Sequence, residues 1–214
     1  MSVAAVVVAA GRGERFGAPK QFHIIGSETV SATSVRTARS VASRVILVVP
    51  AEYEGDGEGA DVVVTGGSTR ASSVRAGLEA AGDASIVVVH DAARPLASPA
   101  LFASVVAAVR AGADAAIPAL AVTDTIKRVT VDGSTTLVTE TLSRDDLVTV
   151  QTPQAFRREV LVRAHAGLGD ATDDAALVEA LGARVVVVPG ETSNVKITVP
   201  SDLIQVAAWH EGAP

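Results

Sequence analysis

The stretch Val3-Ala4-Ala5-Val6-Val7-Val8-Ala9-Ala10-Gly11-Arg12-Gly13-Glu14-Arg15-Phe16-Gly17-Ala18-Pro19-Lys20 decides the fold. Its first six residues form a continuous apolar run rich in valine, the pattern of a parallel strand buried on both faces. Ala9, Ala10, Gly11 and Gly13 then remove side-chain bulk, so backbone N–H groups can approach a ligand and form a concave anion site. Arg15 and Lys20 add two cations. Such loops lie at the carboxyl ends of strands in open parallel sheets, so the stretch reads as a central strand feeding a nucleotide-phosphate loop. Gly11-x-Gly13 lacks the third glycine of the dinucleotide fingerprint, and no Gly-Lys-Ser/Thr closes a Walker-type loop. Alone, the stretch reads equally well as a glycine-rich strand-to-helix turn with solvated cations, and the rest of the chain has to decide.

Working outward, 214 residues suit one α/β domain with a real core. Hydrophobic residues make up 48% but aromatics only 3%, so that core is built from Val, Ala, Leu and Ile. A net charge of -6 argues against nonspecific nucleic-acid binding, which needs clustered excess Lys and Arg. With no cysteine there is no disulfide, thiolate zinc site or cysteine nucleophile, which fits a cytoplasmic protein. Arg12 interrupts the first apolar run well short of the ~20 residues a membrane span needs. We therefore expect an untargeted protein with no membrane partner.

Downstream, strand and helix signals alternate. Residues 28–43 have helical spacing, Arg44–Val49 is a second buried strand, and Asp61–Val64 is a short one. Gly66-Gly67 then precedes a helix over Ser72–Ala81, a second natural place for a phosphate or a base edge, although Ser72 or Ser73 could equally be an ordinary cap. Ser85–Val89 is the most uniform strand and runs into His90-Asp91-Ala92-Ala93-Arg94-Pro95. Asp91, on the same edge as the first loop, is placed to hold Mg²⁺, which needs only one or two carboxylates beside substrate phosphates; its other reading is a turn residue or cap. His90 reads as a packed residue outside the chemistry.

Later, Ile126–Val131 and Thr136–Leu142 flank Asp132-Gly133, a hairpin signal that breaks the βα rhythm. A lone two-stranded ribbon is marginal unless covered, so this arm, at about residues 124–147, predicts a homodimer paired through it. Further helices are expected at Ser98–Ala111, Arg158–Gly167, after Asp170–Asp174 and at Ser201–Trp209, with strands at Ala113–Leu120 and Arg184–Val188.

The residues form a set that resembles the 2-C-methyl-D-erythritol 4-phosphate cytidylyltransferases of the non-mevalonate isoprenoid pathway. The matching segments are Ala9-Ala10-Gly11-x-Gly13-x-Arg15 with Pro19-Lys20-Gln21, Gly66-Gly67-x-x-Arg70-x-x-Ser73-Val74 and Val89-His90-Asp91-Ala92-Ala93-Arg94-Pro95. They continue with Asp124-Thr125-Ile126-Lys127, Arg144, Gln151-Thr152-Pro153-Gln154-x-Phe156, Thr172-Asp173-Asp174 and Asn194-x-Lys196-Ile197-Thr198. The resemblance implies a Rossmann-like nucleotidyltransferase fold over residues 1–214, mostly parallel, flanked by helices and carrying a protruding β-hairpin arm. It implies that Ala9, Ala10, Gly11 and Gly13 line a CTP site, that Gly67 and Ser73 read the cytosine, and that Arg15 and Lys20 hold the triphosphate and the transition state. Asp91 would hold magnesium, while Arg94, Thr172 and Lys196 would contact the polyol phosphate. Thr125 and Arg144 would reach the substrate of the partner subunit, the family being dimeric through the arm. Two stretches depart from the family pattern: the polar Ser27–Ser34, which puts the packing of that helix in question, and Asp146-Leu147-Val148 beside the arm.

The chemistry suits these residue types independently. A substrate phosphate monoester has a second pKa of ~6 and is its own nucleophile at neutral pH, so no side-chain base is needed. The protein must supply in-line placement and positive charge, and Arg15, Lys20 and Lys196 can provide both with Mg²⁺. The rivals are a cytidylyltransferase for a pentitol phosphate such as ribitol 5-phosphate and a noncatalytic nucleotide-binding dimer.

Overall fold

In the computed structural model, which describes residues 1–167, 173–210 and 212, the opening run is strand β1 (Val3–Val8). After a 3-10 turn at Lys20–Phe22 come β2 (Ile24–Ile25), β3 (Glu28–Thr29), α1 (Val30–Ala38), β4 (Arg44–Val49), β5 (Val62–Thr65) and α2 (Arg70–Ala80). Next are β6 (Ile86–Asp91), α3 (Pro99–Arg110), β7 (Ala115–Ala121), β8 (Ile126–Asp132), β9 (Thr135–Leu142), β10 (Val148–Val150) and β11 (Gln154–Arg157). The chain continues through α4 (Arg158–His165), α5 (Asp174–Glu179), β12 (Val185–Pro189) and α6 (Pro200–His210).

The main sheet runs β10-β7-β11-β6-β1-β4-β5, with β12 paired to β7. β1 pairs in parallel with β4 and β6, which is why its valines have no wet face. Val3, Ala5 and Val7 pack beneath α1 and α3, against Val35, Phe102 and Val105. Ala4 and Val6 face the other way, towards Val74 and Leu78 of α2, Leu161 of α4 and Val178 of α5. Helix α2 lies directly on the strands at Gly77, where a Cβ would meet Val6 Cγ1 at 2.3 Å and Val48 Cγ2 at 2.9 Å. That approach, open only to glycine, seats the α2 N-terminus beside the loop that follows β1.

Three local expectations are corrected. The helix read over residues 28–43 is only Val30–Ala38, because Glu28–Thr29 pairs with Ile24–Ile25 and the Thr29 hydroxyl accepts from the Ala32 amide as N-cap. The Ser/Thr-rich face of α1 packs well: Thr33 and Thr37 donate to the carbonyls of Thr29 and Thr33, and Ser34 donates to Ala92 O at 2.9 Å. Strand β6 extends two residues further than the valine run suggests, so His90 and Asp91 stand in register with Val7 and Val8. Residues 148–157, for which the residue pattern gives no strand, supply β10 and β11, and β11 lies antiparallel between β6 and β7.

The arm is β8 paired with β9, with a register shift at Arg128/Val129, and residues 127–141 are all exposed. Among the described residues, no helix is long and apolar enough to cross a membrane.

Candidate active site

The loop after β1 is shaped by two residues. The buried Gln21 amide donates to Ala9 O at 2.6 Å and Gly11 O at 2.9 Å, so neither carbonyl is free to repel an anion. Gly13 sits at φ +67°, where a Cβ would fall 1.9 Å from Ala18 O, and its own carbonyl accepts from the Phe16 and Gly17 amides. The loop opens onto a cavity of about 520 Å³. Ala9, Ala10, Gly11, Gly13, Arg15, Lys20, Gly67, Ser73, Asp91 and Lys196 all line it, so the structure gathers every residue named for the nucleotide and the chemistry around one space.

That space favours an anion. The Lys20 ammonium makes no hydrogen bond or ion pair among the described residues, and its pKa is lowered by burial and then by the charges of Lys196 and Arg15. At the carboxyl end of β6, Asp91 accepts from Lys196 Nζ at 2.6 Å and from Arg70 Nε at 3.2 Å. Burial alone would raise the Asp91 pKa, but the charges of Arg70, Lys196 and Arg94 outweigh it and hold the carboxyl well below the usual range. Its amide donates to Thr152 Oγ1 at 3.0 Å, which ties the strand end to the segment ahead of β11.

A second cavity, about 420 Å³, opens on the far side of Asp91 and is lined by Arg94, Gln151, Thr152, Gln154, Asp173 and Glu179. Arg70, Asp91 and Lys196 line both cavities and form their common wall. Arg94 donates to Asn194 O at 2.7 Å, while its shielded Nε has no partner among the described residues. Such an orphaned donor marks a place where a ligand oxygen would be welcome. Thr125 and Arg144 lie at the base of the arm and line neither cavity; Arg144 donates instead to Thr123 O. Thr172 falls outside the described residues.

Sequence reasoning assigned Arg70 no role, yet it is the hub of the common wall. It occupies the first turn of α2, where the helix dipole disfavours a cation, and that misfit was the available signal that it must face acidic partners. Those partners are Asp91 and Asp174, and Asp174 lies 2.7 Å from Arg70 Nη1. Gln151, Thr152 and Asn194 also went without roles. The Asn194 amide donates to Thr152 O and Gln151 Oε1, locking the turn that carries Lys196 against the segment ahead of β11.

His90 is structural, as the sequence suggested. It is fully buried against Phe102, with Nδ1 on Thr152 Oγ1 and Nε2 on Arg94 O. Burial pushes its pKa down to about 4. The unfolded chain, with its histidine near 6.5, therefore binds more protons than the native state between about pH 4 and 6.5, so stability falls as pH drops through that window. His90→Gln should remove a pH-dependent contribution on the order of 3 kcal/mol, read as a flatter stability profile in urea titrations from pH 7 to pH 4.

A glycine loop at the edge of a parallel sheet, opening on a cavity lined by cations and by hydroxyls with no histidine beside them to act as a base, suits a reaction in which the substrates supply both nucleophile and leaving group. Fold and site together define a nucleotidyltransferase. The family model described as 2-C-methyl-D-erythritol 4-phosphate cytidylyltransferase matches residues 3–211, and the chain belongs to that family. It is 48% identical to the enzyme of that name from Rhodococcus jostii (strain RHA1), over 99% of this chain and 96% of the relative. The Streptomyces coelicolor enzyme of the same name is 43% identical, over 96% and 83%. The crystal structure of the Thermus thermophilus enzyme superposes with a TM-score of 0.84 at 36% identity, covering 99% of this chain and 100% of that one.

Proposed function

We propose that this protein transfers CMP from CTP to 2-C-methyl-D-erythritol 4-phosphate, releasing pyrophosphate and forming 4-diphosphocytidyl-2-C-methyl-D-erythritol. The observation that carries this reading is the pair of cavities with a common wall of Arg70, Asp91 and Lys196. One suits a nucleotide and the other a phosphorylated polyol, and they meet where a phosphate oxygen would attack the α-phosphorus. In this reading Ala9, Ala10, Gly11 and Gly13 receive CTP, and Gly67 and Ser73 read the base. Ser73 donates to Thr69 O at 2.9 Å, which leaves its oxygen lone pairs available to a base amino group.

Arg15 and Lys20 neutralise the triphosphate and the departing pyrophosphate, and Lys196 takes the charge that builds at the α-phosphate. Asp91 and Mg²⁺ are compatible. Among the described residues no group of three metal-ligating side chains exists, but Mg²⁺ commonly takes one carboxylate and fills its shell with phosphates and water. Asp91 is held ionised beside the anion cavity and would be that ligand, the ion serving to neutralise triphosphate charge. Arg94 and Thr172 would contact the acceptor.

The arm supports a homodimer. Val131 is 73% exposed and Val138 61%, surface that a second copy of the arm would cover. Thr125 and Arg144, remote from their own chain's cavities, would then reach the acceptor of the partner subunit. A cytoplasmic setting accords with the absence of cysteine.

The test is pyrophosphate release from CTP and Mg²⁺ with methylerythritol 4-phosphate and ribitol 5-phosphate offered separately. Release with the former alone is expected. Release with ribitol 5-phosphate alone would move the protein to pentitol chemistry, and CTP binding with release from neither would make it a noncatalytic dimer.

A further inference from the structure

Behind the common wall lies a buried relay that the chemistry above does not use. Asp174, at the start of α5, is 1% exposed and accepts from two neighbours at once, Arg70 on the cavity side and the buried His165 behind it. Arg70 Nη1 donates to Oδ2 at 2.7 Å, and His165 Nε2, at the end of α4, donates to Oδ1 at 3.0 Å. The His165 ring has no other anchor, because its shielded Nδ1 has no partner among the described residues. Arg70 is thus gripped at two corners of its planar fork, Nε by Asp91 and Nη1 by Asp174, which leaves Nη2 without a hydrogen bond among the described residues. A guanidinium held this way has one orientation, and it lines both cavities.

We infer that Asp174, backed by His165, is a positioning residue that holds Arg70 at the junction of the two cavities, where the free edge of its guanidinium binds the acceptor's phosphate monoester during attack on the nucleotide. This rests on the cytidylyl-transfer reading. The ground-state grip on CTP belongs to the loop and Lys20, so loosening Arg70 acts on placement of the nucleophile rather than on nucleotide affinity. The two acidic partners have separable duties. Asp91 faces the substrates, whereas Asp174 is sealed behind Arg70 and acts only through it.

The experiment is steady-state kinetics on the full-length chain, with thermal midpoints for each variant. Asp174→Asn keeps the shape of the side chain and should lower kcat about 30- to 100-fold, the sensitivity expected when a reacting group loses its placement, while KM for CTP stays within about threefold. Arg70→Lys, which cannot span both carboxylates, should fall similarly, and the Arg70→Lys/Asp174→Asn double variant should fall no further than the lower single. His165→Ala should lose about fivefold to tenfold in kcat, and His165→Gln, which keeps an N–H donor for Asp174, should recover most of it.

Additive losses in the double variant, an undiminished kcat in Asp174→Asn, or no difference between His165→Gln and His165→Ala would each overturn the inference. If Asp174→Asn does not fold, the His165 pair decides. Unaltered protein assayed alongside separates failure of the relay from failure of the activity. Turnover in it with normal turnover in Asp174→Asn sinks the relay alone, and no turnover with either polyol phosphate removes the activity and the relay together.

Discussion

Lys20→Ala is expected to reduce CMP transfer by at least 10²- to 10³-fold, equivalent to ~3–4 kcal/mol of barrier, the usual consequence of removing one preorganised charge from a site of developing negative charge. The loss should appear in kcat and in KM for CTP together, because the ammonium holds the triphosphate as well as the transition state, and it should come with little structural cost. Lys20 is half-buried, follows the rigid turn that Gly13 and Gln21 hold, and its ammonium engages no carboxylate among the described residues. Burial and the neighbouring Lys196 and Arg15 destabilise its charge, a cost that a bound phosphate would offset. A thermal midpoint close to that of the unaltered protein, together with a pyrophosphate signal at background, is the expected pair of results. A fully active Lys20→Ala protein would remove Lys20 from the chemistry.

Asp91→Ala should act on two observables at once. The carboxylate neutralises Arg70 and Lys196, with 13% of its side chain exposed, so its loss leaves two cations facing each other at the common wall. Breaking a buried pair by removing one partner typically costs about 3–5 kcal/mol, which denaturant titration would read directly. Activity should fall with it, and the Mg²⁺ concentration for half-maximal pyrophosphate release should rise steeply, because phosphates and water alone would then hold the ion. A protein that loses stability but keeps the same Mg²⁺ dependence would confine Asp91 to positioning Arg70 and Lys196.

The loop that opens onto the first cavity was legible because it is local. Val3 to Lys20 carries strand, loop and cations in one stretch, and residue pattern is enough when every contact falls within a few residues. The second cavity was legible only through its motifs. His90-Asp91-Ala92-Ala93-Arg94-Pro95 and Gln151-Thr152-Pro153-Gln154 pointed to a family without saying what each residue touches. Errors at element ends have ordinary causes. Glu28–Thr29 left its helix for a two-residue pairing with Ile24–Ile25, and His90-Asp91 joined β6 because β1 offered partners to the last residue.

By itself, then, the sequence determined an open sheet around β1, a glycine loop at its carboxyl edge, an exposed hairpin arm and membership in one enzyme family. The first three follow from apolar periodicity, glycine conformational freedom and turn residues, all short-range properties of the chain, and the family from the resemblance of its motifs. Only the tertiary structure decided which cation meets which carboxylate. Arg70 and Asp174 are 104 residues apart, and Asp91 and Lys196 are 105 apart. Their meeting depends on the antiparallel insertion of β11 between β6 and β7 and on α5 packing across that face. Side-chain alternation is the same for a strand running either way, so the pattern of residues carries no record of that direction; the burial of both sheet faces, summed over the whole fold, selects it.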